Sequence, residues 1–513
     1  MINVLEMLEE TAARIPDHRA FTDPGKSITY GELLRKARSI GTAFAEGRCC
    51  RPLGPGDAVA FYMEKSVDAV VMMLGAVYAG ACYSFIDVRQ TPERAGAILE
   101  VLEAPLVITD EENEEAARKL AEGSRREVRL QRIEELVELA SHTPASEELL
   151  SKAGRRHIDT DPLYVNFTSG STGIPKGVAV GHRSVLDFIW EFTRIFQITE
   201  GDILANQAPF DFDVSVKDIY SALLTGAEVL LIPRPYFSNP SVLMDYLADH
   251  EVTVLIWAVS AMCFVSIMNG LEYRKPERIR QVMFSGEMMP VKQLNKWKKS
   301  LPDAVYVNLY GPTEITCNCT YYVLDRDFEN DEMIPAGIPF PNERVFLLDD
   351  KDGLVEEEGK EGEICVSGSC LALGYYKDPE KTGEVFVQNP LNHRHYERIY
   401  RTGDLGKYDS AGNLVFTSRK DFQIKHMGQR IELGDIEASA QSVEGVQRAC
   451  CLYDAKRKKI VLFYAGEAEK EGVSEALHQK LPSFMLPGKT VRLEEFPLNK
   501  NGKIDRNALS AML

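Results

Sequence analysis

The sequence predicts an α/β protein: a large N-terminal domain of covered sheets with a β-rich subdomain, then a small α+β C-terminal domain. Three observations carry that expectation. Helical and strand-like stretches alternate over the first 310 residues, the pattern of sheets covered by helices. From Ala336 to Phe416 the pattern changes to short strands punctuated by Gly, Pro and Asp. Beyond Phe416 a charged run leads into a helix, two strands and another helix, enough for a separate compact module.

The elements follow in order. Met1 to Glu10 reads as an acidic amphipathic helix and not as a signal peptide. Val59-Ala-Phe-Tyr is strand-like, Asp68 to Tyr78 helical, and Cys82-Tyr-Ser-Phe-Ile a further strand. Glu111 to Lys152, rich in Glu, Lys, Arg and Ala, reads as solvated helices joined by loops, without chemistry of its own. Glu228-Val-Leu-Leu-Ile and Val252-Thr-Val-Leu-Ile have the character of buried strands. In the C-terminal part, Gly434 to Val443 reads as a helix, and Ala449-Cys-Cys-Leu-Tyr and Lys459 to Tyr464 as strands. The expected units are residues 1–420, with the β-rich subdomain at 336–416, and 421–513, with a hinge at Asp421.

Composition narrows the class. The chain has 513 residues, 44% of them hydrophobic, enough for about three globular units at roughly 150 residues each. Its formal charge of −18 argues against a nucleic-acid binder, which normally shows a basic face. No apolar run approaches the roughly 20 residues of a membrane span. Ten cysteines occur without a Cys-x-x-Cys pair, so neither a zinc ribbon nor a thioredoxin-like motif is indicated. The expectation is a cytoplasmic protein with free thiols.

The strongest chemical signal is Tyr164-Val-Asn-Phe-Thr168-Ser169-Gly170-Ser171-Thr172-Gly173-Ile-Pro-Lys176-Gly. A strand enters a loop of hydroxyls and glycines, and Val178-Ala-Val resumes strand character. Glycines let successive N–H groups converge on an anion, while hydroxyls and a lysine add donors around phosphate oxygens. It is not a Walker A loop, because the spacing to Lys176 differs and a strand follows where a helix should.

Thr168 to Gly177 resembles the phosphate loop of the adenylate-forming superfamily, which includes acyl-CoA synthetases, luciferases and peptide-synthetase adenylation domains. Four further segments resemble that family in its own order. They are Asn308-Leu309-Tyr310-Gly311-Pro312-Thr313-Glu314, Tyr400-Arg-Thr-Gly-Asp404-Leu, Arg419 to Arg430, and Asn501-Gly-Lys503-Ile-Asp-Arg. The resemblance spans nearly the whole chain. It implies ATP and Mg2+ as cofactors, with Tyr310 stacking on adenine, Thr313 on the α-phosphate and Glu314 on the metal. Asp404 would take the ribose hydroxyls, with Phe416 and Arg419 beside the nucleotide. Lys503 would stabilise the charge that gathers as a carboxylate attacks the α-phosphorus, a task suited to a compact, mobile ammonium. The C-terminal domain would be mobile, exchanging Lys503 for the loop at 425–430 by rotation at Asp421.

Asp211-Phe-Asp213-Val214-Ser resembles the segment of amino-acid-activating members in which the aspartate pairs with the substrate α-ammonium. Asp213 also reads as a helix N-cap, and the two roles are compatible. By resemblance the substrate pocket involves Val214, Lys217, Met283, Ser285, Leu309, Cys317 and Asn318, with another wall near Trp257 and Ala258. Lys217 either neutralises an acidic side chain in the pocket or points to solvent. The Phe284-Ser-Gly-Glu run resembles D-alanine–carrier protein ligases, but Ser285 and Lys217 depart from their usual cysteine and methionine. With no phosphopantetheine-attachment motif after Leu513, the expected acceptor is a phosphopantetheinylated carrier protein in trans. The alternatives are coenzyme A as acceptor, and a non-catalytic nucleotide-binding homologue.

Overall fold

Runs of β-branched and aromatic residues build two large sheets, which the computed structural model describes within residues 1–154, 157–168, 175–330, 332–420, 423–455, 457–497, 504 and 506–513. The first sheet has nine strands. At its centre Ile203–Asn206, Val254–Ala258, Gln281–Ser285 and Val305–Tyr310 run parallel. The second has seven, among them parallel Ala58–Tyr62, Cys82–Phe85 and Leu106–Thr109 and the antiparallel hairpin Pro162–Thr168/Lys176–Gly181. Both sheets contribute to one hydrophobic cluster, with Phe61 and Tyr83 from one and Val229 and Val307 from the other.

The helices between them have lost the usual polar stripe. Val67–Ala79 is buried along almost its whole length, and Val214–Thr225 is buried from Val214 to Leu223. A helix that is apolar nearly all round belongs inside a large core. Ser66 caps the first of these by accepting from the Ala69 amide, and Gly80 ends it in the left-handed conformation.

A six-stranded sheet occupies the β-rich stretch and includes Glu343–Leu348, Gly362–Gly368, Arg398–Tyr408 and Leu414–Arg419. After residue 422 come a two-stranded hairpin, Gln423–His426/Gln429–Glu432, and a three-stranded sheet of Val446–Asp454, Lys459–Gly466 and Lys489–Leu493. Helices Leu433–Gln441 and Lys470–Lys480 pack in the same cluster as that sheet. No helix among the described residues is long and apolar enough to cross a membrane. All ten cysteines are free thiols and all but Cys50 are buried.

Three readings need correction. The segment 111–152 is not helices and loops alone: Arg129–Arg132 forms an edge strand beside Leu106–Thr109. Edge strands face solvent on one side, so a charged, half-exposed run can still pair. Its helices are also not simply solvated, since Leu136 and Ala140 enter the core. The strand read from Val252 begins at Val254.

Candidate active site

The parallel strands of the first sheet end side by side, with Ala258 opposite Ser285 and Ser285 opposite Leu309. Ligands in α/β proteins bind outside such carboxyl ends. A cavity opens there. Its wall includes Thr168, Asp213, Val214, Ser285, Gly311, Pro312, Thr313, Cys317 and Asn318. Segments separated by 150 residues of sequence are thereby brought together. Residues 169–173, Asp421 and Lys503 lie outside the described residues.

The turn after Val305–Tyr310 is built tightly. A Cβ on Gly311 would lie 2.5 Å from the Asn318 Cα, so only glycine lets the chain double back. Thr316 and Cys317 both adopt positive φ, 58° and 75°, a costly conformation for side chains larger than glycine. The Thr316 hydroxyl donates to the Cys370 carbonyl at 2.7 Å and the Cys317 thiol to the Asp213 carbonyl at 3.1 Å, which hold the strained segment against the cavity.

On the nucleotide side, strand register explains the pairing. Asp404 lies opposite Arg419, which donates to its carboxylate, while the Tyr310 hydroxyl donates to the other oxygen at 2.6 Å. The Phe416 ring lies 6.3 Å from that of Tyr310, tilted by 39°. The Asn308 amide donates to the Pro335 carbonyl at 2.8 Å, and Leu309 is buried in the core.

The hairpin 423–432 reaches into this site. Met427 and Gly428 form its two-residue turn, both with positive φ, the conformation that matches strand twist. Cross-strand pairing sets Gln423 opposite Glu432 and Lys425 opposite Arg430 on one face. Arg430 donates to Glu314 at 2.7 Å and to Gln423 at 2.6 Å. Lys176 lies 3.5 Å from Glu432, Lys425 stands over the Tyr310 ring, and the Gly428 amide donates to Glu287 at 2.6 Å. The Tyr375 hydroxyl donates to the other Glu314 oxygen at 2.9 Å. Burial alone would raise the Glu314 pKa, but Arg430, Lys176 and Tyr375 bring it down to about 2.

That ion pair makes a pH prediction. A carboxylate at about 2 in the fold and 4.5 when free stabilises the fold fully above 4.5. The contribution is lost as pH falls through about 2. In Arg430→Met the buried Glu314 loses its main partner, so destabilisation is expected to begin at a higher pH. Thermal melts of both proteins across the acid range measure it. Superimposable acid profiles would contradict the assignment.

Asp213 stands at the N-cap position of helix Val214–Thr225, as expected, but its side chain makes no capping bond. Burial raises its pKa, opposed by the Thr313 hydrogen bond and by Lys217 and Lys425. Lys217 has no exposed surface, which overturns the solvent-facing alternative. It sits behind the wall and donates to Asn318 Oδ1 at 2.6 Å. Met283 and Trp257 are fully buried and stay behind the wall as well. Tyr375 and Glu287, absent from the expected site, take part in it. Glu287 closes the quoted Phe284-Ser-Gly-Glu run, whereas nothing local marked Tyr375.

The fold is that of the adenylate-forming enzymes, which as a class use ATP to activate a carboxylic acid as its AMP ester. The chain belongs to the family described as AMP-binding enzyme, whose model matches residues 8–376. It is 31% identical over 524 residues to zwittermicin A synthase ZmaJ of Bacillus cereus, covering 99% of this chain and 95% of that one. Surfactin synthase subunit 1 of Bacillus subtilis (strain 168) is 31% identical over 512 residues, 99% of this chain. The chain spans only 14% of that relative's length. Among solved structures, an artificially fused adenylation–PCP di-domain, NpsA-ThdA from Klebsiella oxytoca, superimposes with a TM-score of 0.80 at 22% identity, covering 96% of this chain and 94% of that one. The o-succinylbenzoate CoA synthetase MenE of Bacillus subtilis gives 0.83 at 20% identity, covering 100% and 98%.

Proposed function

We propose that the chain activates an amino acid as its aminoacyl-AMP, with release of pyrophosphate, and transfers it to the phosphopantetheine thiol of a separate carrier protein. The observation that carries the reading is Asp213, a half-buried carboxylate on the cavity wall whose pKa desolvation raises despite Thr313, Lys217 and Lys425, so that a further cation beside it is favoured. A substrate α-ammonium meets that need, and an acid lacking one leaves the carboxylate uncompensated. The adenylation–PCP fusion supports a carrier as acceptor.

In this reading Thr168, Ser169, Gly170, Ser171, Thr172, Gly173 and Lys176 hold the phosphates. Tyr310, Asp404, Phe416 and Arg419 hold the nucleoside. The substrate carboxylate attacks the α-phosphorus, the bond to pyrophosphate breaks, and Thr313 and Lys503 stabilise the charge that develops. Glu314 suits a magnesium ion, which would neutralise phosphate charge when bound. Its carboxylate is aimed by Tyr375, and its other oxygen becomes available once Arg430 withdraws. The hairpin contacts of Arg430, Lys425 and Glu432 fit the arrangement for the second step, with a hinge at Asp421. In that step the thiol sulfur bonds to the acyl carbon and AMP leaves.

ATP–pyrophosphate exchange over L- and D-amino acids and over simple carboxylic acids tests this. Amino acids are expected to support exchange. Exchange with simple acids alone would overturn the reading of Asp213.

A further inference from the structure

The turn that lines the cavity is braced from outside by residues 369–372. The Cys370 carbonyl accepts from the Thr316 hydroxyl at 2.7 Å, and the Ala372 amide donates to the Glu314 carbonyl at 2.9 Å. The same segment is tied to helix His182–Phe196 on its other side. There the Ser369 hydroxyl donates to Asp187 at 2.8 Å, and the Leu371 carbonyl accepts from the Ser184 hydroxyl at 3.0 Å. A disturbance at residue 370 therefore reaches Glu314 and Thr316 directly. It reaches Asp213 through Cys317, whose thiol donates to the Asp213 carbonyl.

Glu343 packs against this brace. It opens strand Glu343–Leu348 opposite Gly368 and is only 8% exposed. The two strands approach closely there, since a Cβ on Gly368 would lie 2.7 Å from the Asn342 carbonyl oxygen. The Cys370 thiol hydrogen-bonds with the Glu343 carboxyl, whose Oε2 is buried without a partner. A thiol is a weak donor and compensates little of a buried charge.

No cation among the described residues faces this carboxyl. Arg344, the next residue, bonds Glu397 at 2.9 Å, and alternation along the strand sets it on the opposite face. The titratable groups that do face Glu343 are acids. Asp187 approaches from helix His182–Phe196, the thiol of Cys370 from the brace, and those of Cys317 and Cys319 from the turn. Burial pushes the Glu343 carboxyl well above its ordinary 4.5; Asp187 adds to this and the Cys370 thiol opposes it. A carboxylate in such a place lacks both water and a counter-charge, whereas the neutral acid needs neither.

We propose that Glu343 is a positioning residue that works uncharged: its neutral carboxyl lets residues 369–372 pack onto the turn at 314–317, and its ionisation at high pH forces that brace away and disables adenylation. The inference needs only the activation of a carboxylic acid and does not rest on the reading of Asp213.

Glu343→Gln keeps the shape and removes the ionisation, so comparing it with the unaltered protein tests the proposal. A carboxyl that stays neutral in the fold but ionises on unfolding costs stability increasingly as pH rises above 4.5, the reverse of Glu314. Thermal melts should show Glu343→Gln gaining on the unaltered protein as pH rises above that value. A gap that stays constant or narrows would show an ionised Glu343 in the fold and overturn the proposal. Pyrophosphate exchange with an equimolar mixture of amino acids and simple carboxylic acids reads the effect on the site, whichever class is the substrate. Beyond the ionisation of Glu343, exchange by the unaltered enzyme should fall about tenfold per pH unit, the slope of one essential proton. In Glu343→Gln that fall should be lost or moved to higher pH, with activity retained at neutral pH. A side chain that merely fills space would leave the two profiles parallel, and parallel profiles would sever the link to the site. Exchange by the unaltered enzyme that stays level up to the pH at which it unfolds would overturn the proposal without any variant.

Discussion

Replacing Lys503 with alanine is expected to lower pyrophosphate exchange by roughly 10²- to 10³-fold, the scale of removing one charge-stabilising donor from a reaction centre. Two anions meet in adenylation, the substrate carboxylate and the α-phosphate, and negative charge concentrates between them as the new bond forms. An ammonium on a flexible stem lowers that barrier only while it is present in the reaction centre. The loss should therefore appear in kcat, with ATP affinity little changed, because on the proposed reading the phosphates keep the donors of residues 168–176. Transfer to a thiol from a pre-formed aminoacyl-AMP should be spared, since the second step has no phosphorus centre to stabilise. A variant that keeps normal exchange would remove Lys503 from the mechanism. Equal loss in both steps would point to a structural role instead.

Asp213→Ala should be at least as damaging, by a different route. Once the carboxylate is gone, an amino-acid substrate must place its ammonium in a buried cavity with no counter-charge. Breaking such a pair by removing one partner costs about 3–5 kcal/mol, so amino-acid kcat/KM should fall by about 10²- to 10³-fold or more. The informative control is an acid of the same shape lacking the amino group. Its activation should be unchanged or improved, because Asp213 no longer stands unpaired beside it. A variant that lost both substrates equally would show that Asp213 supports the fold and not the ammonium.

Much of this was readable from the chain, for identifiable reasons. Strands such as Ala58–Tyr62 and Pro162–Thr168 are dense in β-branched and aromatic residues, and their neighbours along the chain are also their neighbours in space. Asp404 and Arg419 came from separate short motifs, and strand register then put them face to face. The edge strand Arg129–Arg132 was hidden because none of its residues is buried and all but Leu130 are polar. Lys217 could not be placed by periodicity, because helix Val214–Thr225 is buried on nearly all sides and has no solvent face to point to. The Glu314–Arg430 pair joins residues 116 positions apart. The approach of the 425–430 loop was expected from resemblance alone, and the partner of its arginine was set by the docking of a hairpin, which no local pattern encodes.

The most direct test of amino-acid activation is to trap the product. The enzyme, ATP and an equimolar mixture of amino acids and their des-amino counterparts would be incubated with hydroxylamine, and the resulting hydroxamates identified by mass. Aminoacyl hydroxamates are predicted. Hydroxamates drawn only from the des-amino acids would contradict the account at Asp213, where it begins.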